Sequence, residues 1–165
     1  LGIVYLIGFM GSGKSTVGKK LGNVLQLPHV DMDSFIEEQT LRSISTIFSE
    51  MGENTFRNYE SDVLKKIEHG VVSTGGGIVE RRENIEWMKA KGTVIYLRTT
   101  FSEITNRLHN DSLRPLWKKS VSERRQLFEH RCDLYESFAD YVVDTDNKGT
   151  KEIAEEIDRL LNNYI

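Results

Sequence analysis

Five short apolar runs punctuate the chain: IVYLI (3–7), LPHVD (27–31), VVST (71–74), TVIYL (93–97) and YVVD (141–144). Each has the length and the β-branched or aromatic content of a strand. Between them, apolar residues recur at helical spacing over 14–26, 33–51, 53–68, 80–90, 101–108, 121–138 and 150–162. Strands alternating with helices predict a parallel sheet covered on both faces. The interval 33–70 stands apart, because it places two or three helices between one pair of strands. An insertion of that length can build a cap beside the sheet. Gly52 and Gly70 read as helix ends. The segment HNDSLRPLWKKS (109–120) is polar, lacks helical periodicity and carries Pro115, so it reads as a mobile loop.

Composition narrows this picture without redirecting it. A chain of 165 residues suffices for one compact domain spanning 1–165. The net charge of −3 is spread over interspersed acids and bases, so no broad basic surface points to nucleic acid or an anionic membrane. An anionic ligand must then be met by a local cluster. The single Cys132 cannot form an intrachain disulfide, which fits a reducing cytoplasm. IVYLI is too short to span a bilayer and has no basic flank. The expectation is a cytoplasmic monomer whose partners are small molecules.

GFMGSGKS (8–15) follows a strand and opens a helix, and it satisfies G-x-x-x-x-G-K-[ST] through Gly8, Gly13, Lys14 and Ser15. Small residues such as Gly11, Ser12 and Gly13 let successive backbone N–H groups curl around an anion at a helix N-terminus. Lys14 can reach the β- and γ-phosphates, and the Ser15 hydroxyl can ligate Mg²⁺. The alternative is an ordinary glycine-rich turn between strand and helix. The loop implies ATP or GTP. A guanine-reading N-K-x-D element would need Asp where Asn147 and Lys148 are followed by Thr150, so the base reads as adenine.

LPHVDMD ends the second strand with Asp31 and Asp33. In an extended segment i and i+2 share a side, roughly 7 Å apart, and strand C-termini of a parallel sheet face the ligand crevice. Asp31 would serve the metal and Asp33 would accept from a hydroxyl of a second substrate; the competing reading is that Asp33 or Ser34 caps the following helix. The strand VVST ends in Gly75, Gly76 and Gly77, with no acid of its own.

Two arginines sit on apolar faces. In TFRNYESDVLKKI, Glu60 falls within the stripe Phe56, Tyr59, Val63 and Ile67, with Arg57 three residues earlier. A carboxylate on an inward face needs a partner, although a surface ion pair is the alternative. Arg131 lies within the stripe Leu127, Leu134 and Phe138. Two inward guanidinium groups match a carboxylate. With Asp33 they describe a pocket for a small hydroxylated carboxylic acid. The histidines read as surface or capping residues and Cys132 as packing.

These residues together resemble the shikimate kinase family. The similarity runs through GSGKST (11–16), D-M-D (31–33), F-R-x-x-E (56–60), T-G-G-G (74–77), L-R-P-L (113–116), R-x-x-L-Y (131–135) and V-D-T (143–145). The resemblance implies a three-layer α/β/α P-loop kinase fold. Its five-stranded parallel sheet would be ordered as in nucleoside monophosphate kinases, with a substrate cap at about 33–61 and a mobile lid at about 109–120. It implies ATP- and Mg²⁺-dependent phosphorylation of the shikimate 3-hydroxyl, on the route to chorismate and aromatic amino acids. Asp33, Arg57, Arg131 and the run Gly75, Gly76 and Gly77 would bind shikimate, the glycines by leaving backbone N–H groups open to it. The loop from Gly11 through Thr16 would bind ATP. Ser15 and Asp31 would serve Mg²⁺, with Ser73 linked to it through water, and Glu60 would orient Arg57. Arg107 would flank adenine, Lys148 would lie near the ribose or base, and Arg114 would arrive with the lid. Other readings are a gluconate kinase, which shares the loop and differs in the pocket, and a nucleotide-binding module without catalysis.

Overall fold

The computed structural model describes residues 2–108 and 120–162. Strands β1 (Ile3–Ile7), β2 (His29–Asp31), β3 (Gly70–Ser73), β4 (Thr93–Arg98) and β5 (Tyr141–Asp144) form one sheet in the order β2-β3-β1-β4-β5. Every pairing is parallel, and Tyr5 on the central strand stands opposite Val72 on one side and Val94 on the other. The second strand is shorter than its apolar run. Pro28 has no N–H to give to a ladder, and only its carbonyl takes part, accepting from Val71 N at 2.8 Å.

All five residues of IVYLI are buried because the strand's alternating side chains enter two different cores. Ile3, Tyr5 and Ile7 join Val72, Val94 and Tyr96 on one face. Val4 and Leu6 join Val71, Ile95, Leu97 and Val143 on the other. The second face is closed by α1 (Lys14–Leu25) and α8 (Thr150–Asn162), through Val17, Leu21, Ile153 and Ile157. The first face carries α2 (Met32–Thr40), α3 (Ile44–Met51), α4 (Glu53–Lys66), α5 (Arg82–Lys91), α6 (Phe101–Arg107) and α7 (Val121–Phe138), with Ile36, Ile47, Leu64, Met88, Ile104 and Tyr135 turned inward. The result is the expected α/β/α arrangement, with every strand ending at the same edge.

Between β2 and β3 the chain makes three helices. This is the upper of the two or three helices expected there, and the break falls inside the helical spacing of 33–51. Leu41 takes a left-handed φ of 55° and ends α2, and Ser43 restarts the helix by accepting Thr46 N on its hydroxyl at 3.1 Å. A serine that satisfies an otherwise orphan N–H competes well with continuing the helix. Position 80, placed in a helix by periodicity, closes a short 3₁₀ turn, Ile78–Glu80, that leads out of the glycine run. Among the described residues no helix is long and apolar enough to cross a membrane.

Candidate active site

The phosphate loop joins β1 to α1 at the carboxyl edge of the sheet. Gly11 and Gly13 adopt φ values of 83° and 94°, a region that side chains other than glycine enter at a cost. Within this curve Ser12 N donates back to Phe9 O at 3.1 Å, closing the loop at the N-terminus of α1, where the helix dipole favours an anion. Lys14 is buried and its Nζ donates to Gly8 O at 2.6 Å and Phe9 O at 3.0 Å. The ammonium thus spans the opening of the loop and is held there by carbonyls. Next to it, the Ser15 hydroxyl donates to Asp31 Oδ2.

Asp31 and Asp33 both line a cavity of about 400 Å³ together with Lys14, Ser15, Gly75 and Gly76. The extended geometry expected for the acidic pair does not hold, because α2 starts at Met32. Asp31 is itself the cap of that helix, its Oδ1 accepting Ser34 N at 3.2 Å. Capping and metal binding are compatible, since each carboxylate oxygen has its own partner. Asp33 stands in the first turn of α2, where the helix dipole favours a negative charge.

Ser73 lies behind the loop. Its hydroxyl donates to Lys14 O at 2.7 Å, so His29 Nε2, 2.8 Å away, must be the donor in the remaining contact. Burial, with a smaller effect of Lys19, lowers the His29 pKa against the pull of Asp31, which favours the neutral ring. Ser73 therefore anchors the loop backbone, and His29, read from sequence as a surface or capping residue, is half-buried within that anchor.

The glycine run forms the opposite wall. A Cβ on Gly75 would stand 2.6 Å from Glu60 Oε2, and one on Gly77 would stand 2.4 Å from both Nη atoms of Arg57. The distance to Arg57 Cζ is nearly the same, 2.5 Å, so the guanidinium lies face-on to Gly77. Part of the space reserved by the glycines is therefore taken by the Arg57–Glu60 pair, not by a ligand. Arg57 Nη1 donates to Glu60 Oε1 at 2.9 Å and Nη2 to Glu53 Oε2 at 3.4 Å. Burial raises the Glu60 pKa against the attraction of Arg57, with Asp33 adding to the rise. Burial also opposes the Arg57 charge, but Glu60 and Glu53 outweigh it and the guanidinium stays cationic. Both residues are buried, which excludes the surface ion pair left open by periodicity.

Arg131 is 1% exposed and comes from α7 to the same wall, where its Nη1 would lie 3.5 Å from a Cβ on Gly76. Tyr135, one turn along, donates to Gly76 O and so fixes that peptide. At the other end of the site, Arg107 and Lys148 line a second cavity of about 210 Å³ beside Gly13 and Thr16. Arg107 Nη1 donates to Gly11 O at 3.0 Å, and Lys148 Nζ meets Glu156 Oε1 at 2.9 Å. The segment bearing Lys148 is tied to the start of α6 by Thr100 N and Oγ1, which donate to Asp146 at 3.0 and 2.6 Å. The arrangement offers a phosphate cradle between a base-sized cleft and an acceptor wall bearing two arginines.

Comparison with known proteins agrees with this geometry. The family model described as shikimate kinase matches residues 10–162. A shikimate kinase of Bacillus cereus is 44% identical over 162 residues, covering 96% of this chain and 98% of that protein. The chain belongs to the shikimate kinase family. A solved shikimate kinase from Acinetobacter baumannii, in complex with shikimate, superposes with a TM-score of 0.95 at 34% identity, covering 100% of this chain and 96% of that one. A gluconokinase from Sinorhizobium meliloti has a TM-score of 0.61 at 17% identity, a likeness of fold alone.

For this kinase, the residues singled out from sequence converge, apart from Arg114 and the lid around it, which lie outside the described residues. Sequence reasoning missed Glu80, which contacts Arg131, and Glu53, the second acid on Arg57. Glu53 was visible as the i−4 neighbour of Arg57. Glu80 had no local signal, because its partner is 51 positions away.

Proposed function

We propose that this kinase transfers the γ-phosphoryl group of ATP to the 3-hydroxyl of shikimate, as a single domain with a cap at 33–61 and a lid at 109–120. The observation that carries the reading is one cavity in which the phosphate loop faces Asp33 and the glycine wall, with Arg57 and Arg131 packed on that wall. The shikimate carboxylate would take the two guanidinium groups, and a ring hydroxyl would lie on Asp33 and the Gly76 N–H. Asp33 orients the reacting hydroxyl and accepts its proton as the bond to phosphorus forms. A loose transition state needs little further base assistance. Lys14 leaves its carbonyl partners for the β- and γ-phosphates. Arg114 would join it on lid closure, stabilising charge that spreads over the non-bridging oxygens.

Ser15 and Asp31 fit Mg²⁺, since a hydroxyl and a carboxylate already in contact are the hard oxygen donors it takes, while water fills its other positions. Bound with the nucleotide, Mg²⁺ would neutralise charge on the β- and γ-phosphates. Arg107 and Lys148 would border the adenosine. The same reading assigns a monomer working in the cytoplasm, where ATP is supplied.

A coupled ADP-release assay with shikimate, quinate and gluconate tests the assignment. Release that depends on shikimate is expected; release with gluconate alone, or ATP binding without acceptor-dependent turnover, would overturn it. Arg57→Ala should raise the KM for shikimate with little change in that for ATP.

A further inference from the structure

Arg131 reaches the acceptor wall as a long side chain with a single turn of α7 between it and Tyr135. Its Nε donates to Glu80 Oε2 at 3.4 Å, and the other oxygen of Glu80 meets His130 Nε2 at 2.9 Å. Glu80 closes the 3₁₀ turn that follows the glycines, with its own N–H on Gly77 O at 3.0 Å. One carboxylate therefore joins the exit of the glycine run to two consecutive residues of α7. Glu80 takes the Nε edge, and Nη1 of Arg131 lies at Gly76, 3.5 Å from where a Cβ would stand.

We propose that Glu80 is a positioning residue for acceptor binding, locking Arg131 in the rotamer that presents its Nη groups to the substrate carboxylate. The proposal rests on the reading of Arg131 as a carboxylate ligand. Two effects of Glu80 oppose each other. Its charge repels an anionic acceptor, whereas its hydrogen bond removes the rotamer freedom that an arginine otherwise loses on binding. Glu80 is an exposed residue with a side chain 28% open to solvent, and water screens its charge; Arg131 is almost wholly buried, so its orientation bears directly on the site. Orientation wins on this balance, and removing Glu80 should weaken acceptor binding.

Steady-state kinetics of Glu80→Ala, Glu80→Gln, Arg131→Ala and the Glu80→Ala/Arg131→Ala double variant provide the test. Glu80→Ala should raise the shikimate KM about three- to tenfold, the range of one hydrogen bond to a charged group imperfectly replaced by water. The ATP KM and kcat should stay within about twofold. Glu80→Gln keeps an oxygen for Nε and should recover most of the loss. The double variant should be no worse than Arg131→Ala alone. A shikimate KM that is unchanged or lower in Glu80→Ala, multiplicative losses in the double variant, or parallel losses in both KM values and kcat would each overturn the proposal. If Arg131→Ala leaves the shikimate KM unaltered, the carboxylate-ligand reading fails and this proposal with it. If Arg131→Ala raises it and Glu80→Ala does not, only the positioning role fails.

Discussion

Gly77→Ala asks whether the glycine wall works by making room for Arg57. The backbone there has φ −92° and ψ 11°, which alanine adopts without strain, so the perturbation is one methyl group. Its carbon would arrive 2.4 Å from Nη1 and Nη2 and 2.5 Å from Cζ of Arg57, where ordinary contact begins near 3.4 Å. The guanidinium must therefore withdraw by 3.4 − 2.4 = 1.0 Å. A shift of that size takes the 2.9 Å bond to Glu60 out of range or turns the fork away from the acceptor. Losing one charge-assisted hydrogen bond costs about 1.5–3 kcal/mol, equivalent to about 10- to 150-fold in affinity. The coupled assay should show a shikimate KM raised within that range and an ATP KM within about twofold of the parent. Gly76→Ala is the internal comparison. Its methyl would stand 3.4 Å from Met10 N and 3.5 Å from Arg131 Nη1, close to ordinary contact, so the protein needs little adjustment. Its effect should be smaller and come only from the methyl meeting the acceptor. A Gly77→Ala enzyme that is folded by thermal melt and keeps its shikimate KM would refute the reasoning, as would an ATP KM that rises equally.

Glu60→Gln should flatten the acid limb of the shikimate KM. Burial, with Asp33 in support, holds the Glu60 pKa above the usual range, so falling pH protonates it early and deprives Arg57 of its charged partner. Stability runs the other way: a carboxyl whose folded pKa exceeds its unfolded one adds stability below the unfolded pKa, lost as pH rises through the folded value. A pH series of melting temperatures should therefore also be flatter in Glu60→Gln. Tyr135→Phe removes the donor from the half-buried Gly76 O and should cost about 0.5–1.5 kcal/mol, at about 2–4 °C in Tm per kcal/mol by calorimetry. Arg107→Ala, which opens the smaller cavity and frees Gly11 O, should raise the ATP KM in the same assay and leave that of shikimate unchanged.

Local information sufficed for much of the fold and for the phosphate loop. Strand and helix positions follow from period, and the loop from residues within eight positions of one another, so their physics is visible in a short window. Where nearby residues compete, the window was less informative: it left two or three helices open between β2 and β3, which the Ser43 cap makes three, and the expected extended pair Asp31 and Asp33 gave way to a capped helix. The inward faces of α4 and α7 marked Arg57, Glu60 and Arg131 as displaced from solvent, since buried charge is costly enough to show against an apolar stripe.

From the sequence alone came the parallel sheet, the phosphate-binding loop and the need for partners for three buried charges. The i, i+3 spacing already paired Arg57 with Glu60, and only the tertiary structure supplied the partner of Arg131 and the surroundings of that pair. Glu80 reaches Arg131, Ser73 and His29 hold the back of the loop, and Arg57 and Glu60 occupy the space beside Gly77 and Gly75. Contacts across 44 to 59 positions depend on how strands are ordered and helices are laid on them, and no periodicity within one segment encodes that.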